Sequence, residues 1–309
     1  MKSLRVLFFG NESLATGLQS HPVIFNALLD GGYDVAGLVV HSRGAVSRSA
    51  KKEAIIESAE TRGIPILNPD SLKDSADEIA SYGADIGVLV AYGKIVPENV
   101  IKLFNFGIIN VHPSLLPLYR GSTPIETALL DGAVTTGVSV MSLVPEMDAG
   151  PVYVQQSVQI APHETKSELA GRLHEIGTTL ILETLHKISE DQAKTIDQDN
   201  SLATFTKQIQ KSDGLLDFTK PAMVLEREIR AYAGWPGSWF EYNSTKYTVT
   251  DANYTNTVFK PNIGGISVQQ NNLYITTKDG SLVINKIKPE GKKEMPITAF
   301  LNGYKSLFD

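Results

Sequence analysis

Short apolar runs alternate with longer amphipathic stretches through the first half of the chain. Leu4–Phe9, Val35–Val40, Ile86–Val90, Gly107–Val111 and Gly137–Leu143 are rich in β-branched or aromatic residues and bounded by glycine or polar positions, which predicts strands. Three of them are nearly unbroken apolar runs, as strands buried on both faces of a mainly parallel sheet require. Helical patterns fill the intervals near 14–30, 50–62, 97–104 and 123–131. Pro97 suits a first helical turn, where its missing N–H costs nothing. The longest helical pattern runs from about 166 to 189. There Leu169, Leu173, Ile176, Leu180 and Leu185 keep to one broad face, and Thr165 and Glu168 have capping-box spacing. Strand–helix alternation of this kind predicts an α/β class domain with a doubly wound, Rossmann-like, mainly parallel sheet.

After Glu190 the pattern breaks. Residues 190–205 are polar and aperiodic, as a linker is, which sets a first domain over 1–189 and a second over 206–309. The second begins with an amphipathic helix, Met223–Tyr232, and then changes texture. Phe240–Tyr242, Lys246–Thr250, Gly265–Gln269, Leu273–Thr277 and Leu282–Ile287 alternate apolar and polar residues between Asn-Ser, Asn-Asn and Asp-Gly turns. Five short strands of this type suggest a small C-terminal β-barrel, OB-like, although periodicity alone does not separate it from a sandwich.

Composition removes several function classes. A 42% hydrophobic content is enough for a packed core and excludes intrinsic disorder. The complete absence of cysteine excludes a disulfide scaffold, a thiolate metal site and a cysteine nucleophile. The apolar run in MKSLRVLFFG is too short for a signal-peptide core, and no stretch of eighteen apolar residues occurs, so a soluble, cytoplasmic protein with no membrane association is expected. The Asn-X-Ser/Thr matches at Asn243 and Asn253 are then accidents of composition. Net charge is −6, unevenly placed: residues 1–205 carry 15 Lys+Arg against 24 Asp+Glu, and residues 206–309 carry 13 against 10. A basic half hints at a polyanionic partner, against the alternative of ordinary surface variation.

The first strand ends in Gly10-Asn11-Glu12, where a dinucleotide fold would carry G-x-G-x-x-G; neither that fingerprint nor a P-loop is present, so a nicotinamide or flavin cofactor is not expected. The chemistry concentrates elsewhere. Asn110 and His112 stand at i and i+2 at the end of a strand, so both side chains leave one face. Asp148 sits in a turn past the next strand. An amide, an imidazole and a carboxylate together suit acyl transfer without a covalent intermediate: Asn and His donate to a developing oxyanion, and the carboxylate supports the charged imidazole. No G-x-S-x-G elbow supports a serine hydrolase, and no second histidine stands at ligand spacing from His112, so no metal is expected.

The run Asn110-Val-His112-Pro-Ser-Leu-Leu-Pro117-x-Tyr-Arg-Gly121, with Met147-Asp148-Ala-Gly150, resembles the 10-formyltetrahydrofolate-dependent formyltransferases. The likeness extends through Val88–Gly93, Trp235-Pro-Gly-Ser-Trp239 and Pro289-Glu-Gly-Lys-Lys293, nearly the whole chain. It implies Asn110, His112 and Asp148 as catalytic residues, and a folate pocket lined by Ser114, Leu115, Leu116 and Pro117 with backbone near Val90 and Ala91. It implies 10-formyltetrahydrofolate as formyl-donor co-substrate, initiator methionyl-tRNA as the amine partner, and no protein partner. Formylation of an amino-sugar nucleotide, or hydrolysis of the donor, would use the same trio. A catalytically idle tRNA-binding module is the reading of another class, and the intact trio argues against it.

Two positions depart from the pattern. The Gly-Thr-Pro usual after the first strand is Gly10-Asn11-Glu12, and the basic loop after the second strand is shortened and without prolines, keeping Arg43, Arg48, Lys51 and Lys52 as candidate tRNA contacts. Lys286, Lys288, Lys292 and Lys293 form a second candidate strip for phosphates, or else an ordinary exposed hairpin. Trp235 to Trp239 reads as a packing hinge more than as a base-stacking platform.

Overall fold

The computed structural model describes residues 4–19, 21–41 and 53–304. The candidate tRNA contacts Arg43, Arg48, Lys51 and Lys52 lie outside the described residues. The chain divides into two compact units, one of Met1–Ile125, Val134–Ile160 and Glu168–Lys207, the other of Glu126–Ala133, Ala161–Ser167 and Gln208–Asp309.

In the first unit, β1 (Arg5–Gly10), β2 (Asp34–Val39), β3 (Ile66–Leu67), β4 (Ile86–Val90), β5 (Ile108–His112), β6 (Thr135–Ser142) and β7 (Val152–Gln159) form one sheet in the order β3-β2-β1-β4-β5-β6-β7. Strands β1 to β5 are parallel, whereas β6 runs antiparallel to β5 and β7 antiparallel to β6. The order reverses between β1 and β4, the switch point at which open α/β sheets form their ligand crevice. Helices α1 (Val23–Asp30), α2 (Ala54–Thr61), α3 (Ala76–Ser81) and α4 (Glu98–Ile101) connect the early strands, and α6 (Lys166–Ser189) returns along the sheet. A Cβ on Gly177 of α6 would fall 2.8 Å from Val111 of β5, so the glycine lets this helix settle against the strand. Val111 thus faces α6 while Asn110 and His112 leave the other face of β5.

Strand and helix positions follow the apolar pattern closely, with physical reasons for the differences. The pattern near 14–30 is a helix only from Val23. His21 precedes Pro22, which disfavours helical backbone, and Ser13 Oγ donates to Leu18 O at 2.9 Å to hold the preceding stretch in turns. Pro97 is the N-cap of α4 rather than a first-turn residue, its ψ of 152° being extended. The strands β3 and β7 and the helix α3 go beyond the pattern. The stretch 190–205, expected as a linker, belongs to the first unit, with Ile196 bridged to Val152 and Phe205 to Arg120.

In the second unit, β8 (Ser238–Tyr242), β9 (Thr245–Thr255), β10 (Ile266–Gln269), β11 (Asn272–Thr276), β12 (Ser281–Pro289) and β13 (Met295–Pro296) form an antiparallel sheet, ordered β10-β11-β12-β9-β8 with β13 against β12. Helices α7 (Ala222–Ala231) and α8 (Ile297–Tyr304) share its core, through Leu225 and Ile229 on one and Phe300 and Leu301 on the other. Most of α5 (Pro124–Asp131) falls in this unit as well. There Lys166, fully buried, donates to Trp235 O at 3.0 Å and lies 4.0 Å from Glu126 Oε1; burial pushes its ammonium below the ordinary lysine range. The α/β doubly wound sheet is the class expected from the sequence; for the second domain the expectation is a small OB-like β-barrel, and the strands form one antiparallel sheet. Among the described residues no helix is long and apolar enough to cross a membrane.

Candidate active site

The parallel register Leu89↔Asn110 sets the exit of β4, Val90 and Ala91, beside the end of β5. Gly10 at the end of β1 completes this edge: a Cβ there would run into Val90 O, and Glu12 N donates to the same carbonyl at 3.3 Å. Ala91 leaves the strand at φ 52°. Asn110 and His112 are both buried, at 6% and 4% exposure. Among the described residues the Asn110 side chain makes no hydrogen bond, although its oxygen and nitrogen are not fully enclosed. Buried amides are ordinarily hydrogen-bonded, so this one is available to donate or accept.

His112 is fixed from one side. Its Nε2 lies 3.0 Å from Tyr119 O; a carbonyl only accepts, so Nε2 carries a proton. The other ring nitrogen, Nδ1, is 3.7 Å from Asp148 Oδ2, close enough for charge attraction and too far for a hydrogen bond. Nδ1 thus carries a proton to offer only when the ring is protonated on both nitrogens. Asp148 Oδ2 in turn accepts from Gly121 N at 2.7 Å. Because β6 runs against β5, its end at Ser142 lies beside Ile109, and the following loop comes back toward His112 to deliver Asp148. Asp148 itself sits at φ 48°. The sequence brings the three predicted residues together, the carboxylate through its loop and not through a neighbouring strand end.

The loop after His112 is built on Ser139 of β6, which lies opposite His112 in the ladder. Ser139 Oγ donates to Ser114 O at 2.6 Å and accepts from Leu116 N at 3.1 Å, and Gln155 Nε2 bridges Leu116 O and the same hydroxyl, both at 2.8 Å. Ser114 is fully buried with its hydroxyl donating to Leu118 O at 2.6 Å, so it shapes the loop. Leu116 packs with Met141 and Val152, while Leu115 and Pro117 are half-buried. Sequence reasoning missed Tyr119, Ser139 and Gln155. Tyr119 acts through its carbonyl, which no side-chain pattern reveals, and Ser139 is one small residue in an apolar strand.

Tyr92, two residues past Val90, is buried among Phe9 and its neighbours, and its hydroxyl has no hydrogen-bond partner among the described residues. Burial pushes its phenol up to about 12. Glu12, one of the positions that depart from the family pattern, is buried as well, facing His174 of α6. In the second unit Lys286, Lys288, Lys292 and Lys293 are all exposed. The ladder aligns Lys288 with Thr248 and Thr248 with Trp239, whose ring carries Lys246 Nζ 4.2 Å from its centroid. Among the described residues no group of three His, Asp or Glu is placed to hold a metal ion.

The family model described as formyl transferase matches residues 6–185, and the one described as formyl transferase, C-terminal domain, matches residues 208–305. The chain is 33% identical over 312 residues to the methionyl-tRNA formyltransferase of Lachnospira eligens, covering 97% of this chain and 96% of that protein. It is 32% identical over 306 residues to the methionyl-tRNA formyltransferase of Roseiflexus castenholzii, with 97% and 96% covered. Among solved structures, an N-formyltransferase from Helicobacter canadensis in complex with folinic acid and dTDP-3-aminofucose superposes with a TM-score of 0.69 at 16% identity, covering 94% of this chain and 100% of that one. HypX from Aquifex aeolicus in complex with tetrahydrofolic acid gives 0.63 at 16%, this chain matching 48% of its length. At these identities the solved structures speak to the fold alone.

Proposed function

The chain belongs to the formyl transferase family, and on that footing we propose that it moves the formyl group of 10-formyltetrahydrofolate to the α-amine of methionine carried by initiator tRNA, in the cytoplasm. The observation that carries the chemistry is the open Asn110 amide two positions before His112 on the same face of β5, with Asp148 Oδ2 3.7 Å from His112 Nδ1. Attack of the amine on the formyl carbon forms one C–N bond and pushes negative charge onto the formyl oxygen. Asn110 and His112 are placed to donate to that oxygen, the kind of preorganised stabilisation that contributes most to acyl transfer. Collapse breaks the bond to the donor nitrogen, which takes up the proton the amine loses. Asp148 sets its carboxylate beside the imidazole, where it favours a charged ring.

The folate fits the edge formed by Val90, Ala91 and the loop Ser114–Pro117, where backbone groups at strand ends meet apolar side chains. Leu115 and Pro117 are the half-buried members able to touch it, and Ser114 and Leu116 set the loop's shape. Both family regions are present in the chain, and full-length likeness to proteins acting on methionyl-tRNA favours tRNA over a sugar nucleotide. Lys286, Lys288, Lys292 and Lys293, with Arg43, Arg48, Lys51 and Lys52, supply phosphate contacts, whose strength falls steeply with salt.

The deciding experiment assays formyl transfer from 10-formyltetrahydrofolate to charged initiator tRNA and to amino-sugar nucleotides side by side, with donor hydrolysis followed in the absence of amine. Transfer to tRNA with a kcat/KM at least a hundredfold above the others is expected. Preferential transfer to the sugar, or hydrolysis alone, overturns the assignment.

A further inference from the structure

Gln198 lies in the polar, aperiodic stretch 190–205, yet its amide uses its full hydrogen-bonding capacity. Nε2 donates to Asp148 O at 2.8 Å and to Gly150 O at 2.7 Å. Oε1 accepts from Arg120 Nε at 3.1 Å and from Arg120 Nη2 at 2.7 Å. Two donors and two lone pairs are all a primary amide has. Arg120 is 4% exposed, and Nη2 also reaches Asn200 Oδ1 at 2.8 Å. The same strap grips the backbone on either side of Arg120. Tyr119 N donates to Thr204 Oγ1 at 2.8 Å, Arg120 N to Thr204 O at 2.9 Å, and Thr206 N to Arg120 O at 2.8 Å.

We propose that Gln198, with Arg120, is a positioning residue for the reaction: it locks the turn that carries Asp148 to the corner that carries Tyr119, so that both meet His112 in one fixed arrangement. The inference rests on the formyl-transfer reading above. Tyr119 gives His112 its Nε2 acceptor, and Gly121 N holds Asp148 Oδ2. Neither segment is settled by its own backbone, for Tyr119 sits at φ 60° and Asp148 at φ 48°, a region that residues other than glycine keep only when the surroundings over-determine it. The amide supplies that over-determination from a third segment. Arg120 points its Nε and Nη2 at Gln198 and Asn200, so its charge serves the clamp and does not face a substrate. A glutamate at 198 would keep the acceptor for Arg120 and bring no N–H to the two carbonyls, which separates the two halves of the amide's work.

The test is a double-mutant cycle with Gln198→Ala, Gln198→Glu, Asp148→Ala and the double variant Gln198→Ala with Asp148→Ala, read as kcat and KM for 10-formyltetrahydrofolate and charged tRNA. Gln198→Ala should lower kcat roughly tenfold with the donor KM within about twofold, and cost less than about twofold once Asp148 is already alanine, because coupled residues are not additive. Gln198→Glu should follow the alanine variant. Independently of activity, the imidazole ¹⁵N signals of His112 should move in Gln198→Ala toward their positions in Asp148→Ala. An equal loss in both backgrounds, a raised donor KM with unchanged kcat, unfolding of both Gln198 variants at the assay temperature, or His112 signals that stay in place overturns the proposal. A wild-type protein without transfer activity sinks the formyl-transfer reading, while the His112 signals still decide the clamp.

Discussion

His174 Nε2 lies 2.5 Å from Glu12 Oε2, joining α6 to the loop after β1 across 162 positions of sequence. The same carboxylate accepts from Ile24 N at 2.9 Å and Phe25 N at 2.7 Å, capping the first turn of α1 from outside the helix. Glu12→Ala leaves a buried imidazole and two helix N–H groups without their acceptor. Removing one member of a buried pair costs about 3–5 kcal/mol, so urea denaturation should show a loss of that order. Glu12→Gln, which keeps an oxygen for the helix, should lose clearly less. Equal losses would mean that charge and not shape is what the site requires.

At the reaction centre, Asn110→Ala and His112→Ala should each lower kcat roughly a hundredfold or more, as does loss of an oxyanion donor in other acyl-transfer enzymes. Donor affinity should hold, because neither side chain belongs to the folate edge. Asp148→Asn keeps the shape and removes the charge beside Nδ1, so it should slow turnover with an unchanged far-ultraviolet circular dichroism spectrum. Near-normal turnover in Asn110→Ala or His112→Ala would remove that residue from the chemistry.

Where the chain is cut should matter more than its composition suggests. A fragment ending at Ser189 loses Gln198, Thr204 and Thr206 and with them the bonds to Asp148, Tyr119 and Arg120. A fragment ending at Lys207 keeps them, and also keeps the bond from Thr123 Oγ1 to Lys207 O at 2.8 Å. The longer fragment should bind folate and melt cooperatively. The shorter one should melt several degrees lower or bind folate less tightly, which calorimetry and donor titration would read. Identical behaviour would make the strap dispensable.

Tyr92 gives a prediction at alkaline pH. Its phenol is held near 12 in the folded chain against about 10 unfolded, so between these values the unfolded state releases a proton that the folded state keeps. That makes stability fall as pH rises through 10 toward 12, and leaves it unaffected by Tyr92 below that window. Tyr92→Phe removes the effect and also removes a buried hydroxyl without a partner, so it should stabilise by about 1 kcal/mol at neutral pH. Tyr232, also pushed up to about 12, keeps its own share of the alkaline loss. Denaturation midpoints of the two proteins at pH 8 and pH 11 would check both parts. A variant less stable at pH 8 would show that the hydroxyl has a partner in solution.

The α/β frame was legible because its strands are apolar runs and α6 keeps one face over its whole length. Elements with little to bury were not: β3 is two residues, β7 shows a mostly solvent-facing pattern, and Ile79 is the buried residue of α3. Asn110, His112 and Asp148 stood out as polar residues at apolar edges. Gln198 did not, since its meaning comes from carbonyls some fifty positions away and nothing in its own neighbourhood marks it.

The reversal of β6 fixes the reach of the loop that bears Asp148. Ser142 N donates to Pro151 O and Leu143 N to Ile108 O, which pins both ends of the loop bearing Asp148 to the sheet. A Cβ on Gly150 would collide with Ser142 O, so the loop closes on itself with no slack at that end. Between such anchors the number of residues decides how far the carboxylate extends. A deletion or insertion of a single position there would draw the charge away from the imidazole or carry it past, with Asn110, His112 and Asp148 all still present in the sequence.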